Sequence, residues 1–143
     1  SDIPSFQLGP FQIEALNWLA DDDPAKLDFE LVTPTELLER FVMALLYFST
    51  GGETWDNSTG FLSASSVCNW YGVGCDPMVV EIDLGRNNLR GQLPTELSIL
   101  RSLHTLGLCK FATISSSELD TITCPIVSHF SCSAGFLPND RGQ

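Results

Sequence analysis

An apolar register that returns after 24 residues constrains this chain more than any other feature of it. Val79-x-x-Ile82-x-Leu84-x-x-Asn87-x-Leu89-x-Gly91-x-Leu93-Pro94-x-x-Leu97-x-x-Leu100 begins again as Leu103-x-x-Leu106-x-Leu108. An interval of that size marks a stacked repeat, with one supersecondary unit per period. The alternation predicts a short strand that points Ile82 and Leu84 inward and a turn at Asn87. Leu89, Leu93, Leu97 and Leu100 then fill the coil interior on the way back. No coil can bury such a face alone, so each must stack on a neighbour.

The N-terminal part predicts helices that close the open end of this stack. Phe11, Ala15, Trp18 and Leu19 fall on one helical face, and Asp21-Asp22-Asp23-Pro24 ends the helix because Pro24 disfavours helical backbone at Asp23. A second helix has a fuller signature. Thr33 is suited to the N-cap, Pro34 to the first helical position, and Glu36 to a capping box. Leu37, Leu38, Phe41, Val42, Leu45 and Leu46 make the predicted buried stripe, and Gly51-Gly52 stops the helix. At 1.5 Å per residue its sixteen or so residues span about 24 Å.

Between helices and register lies Cys68-Asn-Trp-Tyr-Gly-Val-Gly-Cys75. Together these residues resemble the plant-type leucine-rich-repeat proteins, which include receptor-kinase ectodomains, polygalacturonase-inhibitor-like proteins and receptor-like relatives. The step Leu89-x-Gly91-x-Leu93-Pro94 is the most specific part of the resemblance. Gly51-Gly52, Trp55 and the C-x-W-x-G-V-x-C run through Cys68, Trp70, Gly72, Val73 and Cys75 match that family's N-terminal cap, with Phe61 where a second tryptophan is common. The resemblance extends from about residue 10 to Leu108. It implies an α/β fold: the start of a leucine-rich-repeat solenoid with a helical, disulfide-bonded N-terminal cap. The cap would cover residues 1–78, about one and a half repeats residues 79–108, and a divergent tail or irregular C-terminal cap residues 109–143.

The resemblance also implies a Cys68–Cys75 disulfide, for which the alternative is two reduced thiols in a cytosolic repeat protein. Cys-x6-Cys is too wide for a zinc knuckle, and no second ligand pair follows at suitable spacing. Of the remaining cysteines, Cys124 can pair with Cys132 and leave Cys109 free. No metal or cofactor is expected. Asp21, Asp22 and Asp23 with Asp28 and Glu30 fit no calcium loop, since adjacent carboxylates do not converge on one point. They are expected to form a solvated surface loop. With His104 and His129 as the only histidines and no local nucleophile signature, catalytic residues are not expected either, so the chain is read as a non-enzyme.

Hydrophobic residues are 43% and charged residues 17% of the 143, which describes one folded domain and not a disordered chain. The net charge of −11 is unevenly placed: twelve acidic and two basic residues lie up to Pro77, six and five after it. Such a cap repels phosphate, which argues against nucleic acid or an anionic membrane as partner. The longest apolar run, residues 41–48, is far short of the roughly 20 needed to span a bilayer, so direct membrane insertion by this segment is not expected.

The resemblance implies a protein or peptide ligand and a place outside the cell, or on the outer side of a membrane protein. The candidate binding face is Glu81, Asp83 and Gly85 on the first coil with Thr105 and Gly107 on the second, the positions that alternate with buried residues. Asn87, Trp55 and Trp70 are expected to be structural. Asn57-Ser58-Thr59 is a glycosylation sequon in a turn-rich stretch. Two alternatives stand beside the receptor-like reading: a capping fragment of a truncated protein without its own ligand, and an extracellular polygalacturonase-inhibitor-type inhibitor.

Past Leu108 the register fades. Phe111, Thr113 and Glu118 stand where asparagine, leucine and proline would fall. A divergent cap, a linker in a longer protein and non-native coding from a truncated gene all fit this tail, the last two better, because about three repeats are normally needed for stability. A last strand at 103–108 with nothing beyond it would expose an edge and an apolar end, which predicts self-association there.

Overall fold

The computed structural model describes residues 7–108 and the strand His129–Ser131. Cys109, Cys124 and Cys132 lie outside the described residues, as do the register positions Phe111, Thr113 and Glu118.

The first helix, α1 (Pro10–Asn17), opens with Pro10 at its first position, and the Gln12 side chain accepts from the Gly9 N–H at 2.5 Å. It continues into a wider π-type turn, Trp18–Asp22, and leaves through extended Asp23 before Pro24. Ala15 and Trp18 are buried and Leu19 is partly so, but Phe11 stands 46% exposed. The predicted face is therefore shorter than the period suggested. Only the C-terminal half of the helix meets the core.

The second helix, α2 (Pro34–Ser49), has the bounds its signals predict. Thr33 Oγ1 accepts from the Glu36 N–H at 3.1 Å, and Gly51 takes a left-handed backbone just past the end. Its buried surface differs from the expected stripe. Leu38 is 46% exposed, while Met43 and Ala44 are fully buried beside Val42, Leu45 and Leu46. The physical reason is that α2 is covered on several sides from Arg40 onward. It packs on α1, on the turn Val67–Asn69 and on the turn Thr95–Ile99, so its C-terminal half has no solvent face to spare.

Four strands form one sheet in the order β1-β2-β3-β4: β1 (Val73–Cys75), β2 (Val79–Asp83), β3 (Thr105–Gly107) and β4 (His129–Ser131). β1 is antiparallel to β2 and joined to it by a tight turn, and the Cys68–Cys75 disulfide ties β1 back to the turn Val67–Asn69. Val80 is an extra residue opposite β1, between Glu81 paired to Gly74 and Val79 paired to Cys75. That bulge lets Val79 and Ile82, three residues apart, both be buried. β2 and β3 run parallel, with Glu81 opposite Thr105, Ile82 opposite Leu106 and Asp83 opposite Gly107.

β4 departs from expectation. It lies parallel to β3, with His129 opposite Thr105, Leu106 opposite Phe130 and Gly107 opposite Ser131. The step from Thr105 to His129 repeats the 24-residue interval between Glu81 and Thr105. The edge of β3 expected to be free is thus paired. Ladder bonds use main-chain groups alone, so a strand can keep its place where the side-chain consensus has gone.

One apolar core runs without a break from Ala15 and Trp18 through α2 to Leu103, Leu106 and Leu108. The glycine of the L-x-G-x-L-P step shows how closely the parts approach. Gly91 has φ +98°, and a Cβ there would lie 2.5 Å from the Ser49 carbonyl oxygen at the end of α2. Neither the backbone angle nor the space admits a side chain.

Candidate functional site

The strand face is built by alternation. On β2, Ile82 is buried and Glu81 and Asp83 are exposed; on β3, Leu106 is buried and Thr105 and Gly107 are half-buried. The parallel register sets Glu81 beside Thr105 and Asp83 beside Gly107 in two short columns. Gly85 follows at the end of the first strand, half-buried, and its N–H donates to Asp83 Oδ1 at 3.2 Å. His104 is exposed, with its Nδ1 at 3.0 Å from Thr105 Oγ1. This surface can accept and donate hydrogen bonds and presents two carboxylates.

Beside the strand face, the segment before β1 packs against the turn that follows β2. Asn87 is buried, and its amide grips the main chain of Asn57 in both directions: Oδ1 accepts from the Asn57 N–H and Nδ2 donates to the Asn57 carbonyl, each at 2.7 Å. The Asp56 N–H donates to the Asn87 carbonyl at 3.2 Å, and the Arg90 N–H to that of Thr50 at 2.9 Å. Asn88 Nδ2 reaches the Thr54 carbonyl at 3.0 Å. Residues 50–57 therefore supply the partners that the turn after β2 would otherwise lack, and buried polar groups are costly without them.

Trp55 and Trp70 lie in the core, with their indole N–H groups donating to the carbonyls of Thr50 at 3.0 Å and Ser65 at 3.1 Å. Phe61 packs between them, its ring centroid 4.9 Å from each. The S–S bond of Cys68 and Cys75 is formed, at 2.08 Å.

Sequence reasoning missed Arg40. It is buried and meets Asp23 through two bonds, Nε to Oδ2 at 2.6 Å and Nη2 to Oδ1 at 2.7 Å. The same guanidinium donates to the carbonyls of Ser65 at 2.9 Å and Ser63 at 2.5 Å. Its centre lies 5.4 Å from the Trp18 ring and 5.3 Å from the Trp70 ring. Asp23 is accordingly not part of a solvated loop: it is 5% exposed. A buried guanidinium needs its donors satisfied and its charge balanced, and both are done here. A lone arginine in an apolar helix flanked by acids was the available signal.

Two cavities, of about 370 and 550 Å³, flank the N-terminal half of α2 and share Thr35, Glu39 and Met78 as lining. The first is bordered by Glu36 and Cys68, the second by Leu38 and Arg101. Glu39 Oε2 accepts from the Val79 N–H at 2.8 Å, which ties α2 to the start of β2. Burial pushes the Glu39 carboxyl above the ordinary carboxylate range; the Val79 bond opposes this, and the charge of Glu36 adds to it. Among the described residues no helix is long and apolar enough to cross a membrane.

Comparison with known proteins finds partial similarity to receptor-like sequences. Over 58 residues, 38% of this chain, it is 43% identical to a probable leucine-rich repeat receptor-like protein kinase of Arabidopsis thaliana. Over 57 residues it is 39% identical to Receptor-like protein 50 of the same plant, again across 38% of this chain. The matched part is 6% of the length of each relative, so the chain spans a small fraction of the curated proteins it matches. No family model matches the chain. No solved structure matches it either. The chain is thus related in part to plant leucine-rich-repeat receptor-like proteins.

Proposed function

We propose that this chain is the opening of a leucine-rich-repeat ectodomain: a helical, disulfide-bonded cap over the first coils of a solenoid, serving outside the cell as a non-catalytic surface for a protein or peptide ligand. The observation that carries this reading is the parallel step from β2 to β3 at the repeat interval. It buries Ile82 and Leu106 and lines up Glu81, Asp83, Thr105 and Gly107 on the other face, with Gly85 beside them. Repeats stacked in this way make extended binding surfaces, because each added coil widens the same face. The further step to β4 supports more width than the consensus suggests. The receptor-like relatives support the location and the class of partner. Ligand recognition would then be polar, with the two carboxylates of the first coil selecting against anionic partners.

The full-length transcript tests the reading. Several further 24-residue coils followed by a membrane span are the expected result. A stop codon soon after the codon for Gln143, with no further coils, would overturn the receptor-like reading in favour of a capping fragment.

A further inference from the structure

The turn that Asn87 holds is also a place where the chain can be modified. Asn57-Ser58-Thr59 has the Asn-x-Thr pattern with no proline in the middle. Its geometry goes further than the pattern. Asn57 Oδ1 accepts from the Thr59 hydroxyl at 2.7 Å and from the Thr59 N–H at 3.0 Å. The amide oxygen is therefore occupied, and the side chain is held in a closed local turn. Nδ2 of the same amide donates to no group among the described residues. Since no buried side-chain nitrogen or oxygen among them lacks a partner, this unpaired nitrogen reaches solvent. Its contacts with Asn87 use only the main chain of Asn57 and leave the side chain free for chemistry.

We infer that Asn57 is an N-glycosylation site, which rests on the secretory location proposed above. The donor would be a lipid-linked oligosaccharide. A bond forms between Asn57 Nδ2 and the anomeric carbon of the first sugar, the bond from that carbon to the lipid pyrophosphate oxygen breaks, and the amide proton passes to a base of the transferring enzyme. The Thr59 hydroxyl and N–H on the amide oxygen hold the asparagine in a closed local turn with Nδ2 left for the sugar. Because Asn57 is fastened to Asn87, four residues past the end of β2, the sugar would leave from the turn side of the first coil. The outward residues of β2 and β3 stay uncovered, and the cap–coil seam is shielded.

The test is to express the chain behind an added secretory leader in a plant cell line and map its peptides by mass spectrometry, with and without peptide N-glycosidase. Secreted and cell-retained chains are both analysed. A heavier species is expected, carrying the sugar on the Asn57 peptide and collapsed by the enzyme. Asn57→Gln and Thr59→Ala should each abolish it, and Thr59→Ser should keep it. An unmodified Asn57 peptide in a chain whose Cys68 and Cys75 are bridged would overturn the site and leave the extracellular reading standing. A sugar at Asn57 with Cys68 and Cys75 reduced would uphold the site and overturn the oxidised cap.

Discussion

The side-chain amide of Asn87 holds both main-chain polar groups of Asn57, at 2.7 Å in each direction, across a gap of 30 residues. Asn87 lies in the turn after β2 and Asn57 in the segment before β1, so one side chain joins the two. An amide is suited to this at neutral pH, since it carries a donor and an acceptor side by side.

Asn87→Ala should therefore strip both partners from Asn57 at once. The expected loss is about 2 kcal/mol, since each unsatisfied group costs roughly 1–3 kcal/mol when buried and less where water can enter. Urea denaturation would measure the loss, and hydrogen exchange would locate it. The Asn57 amide should exchange faster in the variant, with α2 amides unchanged. Unaltered exchange at Asn57 would show that the clamp contributes nothing.

Removing Asp23 should hurt more than removing a surface acid. Asp23→Ala leaves Arg40 charged and buried between two tryptophans, at a cost of about 3–5 kcal/mol. Arg40→Lys keeps the charge but loses the fork that serves Asp23, Ser63 and Ser65 together, at about 1–3 kcal/mol. The neighbouring Asp22→Ala, at an exposed position, should fall within about 0.5 kcal/mol of the parent. Chemical denaturation of the three variants is the measurement, and equal effects at Asp22 and Asp23 would refute the role of the pair.

Glu39 predicts a pH dependence. Burial holds its carboxyl above its ordinary value when folded, so the folded chain binds the proton more tightly than the unfolded one. Stability from this group is then present below the unfolded value and is lost as pH rises through the folded one. Glu39→Gln keeps an acceptor for the Val79 N–H and removes the charge. It should raise the melting temperature at pH 7, with the gain shrinking towards zero as pH falls below about 4.5. Melts at pH 7 and pH 4 would decide; a gain equal at both would exclude burial of the charge as the cause.

Gly91→Ala should destabilise by more than about 1 kcal/mol, because its positive φ and the Ser49 carbonyl both oppose a side chain. Gly85→Ala is the control. The nearest atom to an added Cβ there is Asp83 Oδ1 at 3.5 Å, an ordinary contact, so its melting temperature should barely move.

What the sequence determined by itself lies in short-range signals. Thr33, Pro34 and Gly51 act on backbone within a few residues, which is why the bounds of α2 follow from them. The spacing of Ile82, Leu84, Leu106 and Leu108 likewise sets the inward side of β2 and β3, because a strand alternates with period two. Phe11 and Leu38 escaped that logic. A helical period says which residues share a face but not how far the neighbouring element extends over it.

Tertiary structure decided the rest. Arg40 finds Asp23 only when the π-type turn after α1 is packed on α2, and residues 50–57 become the partner of Asn87 only when they fold against the turn after β2. The place of β4 belongs here as well. Its ladder to β3 joins backbone to backbone, and backbone groups are the same in every residue, so no consensus of side chains had to announce it.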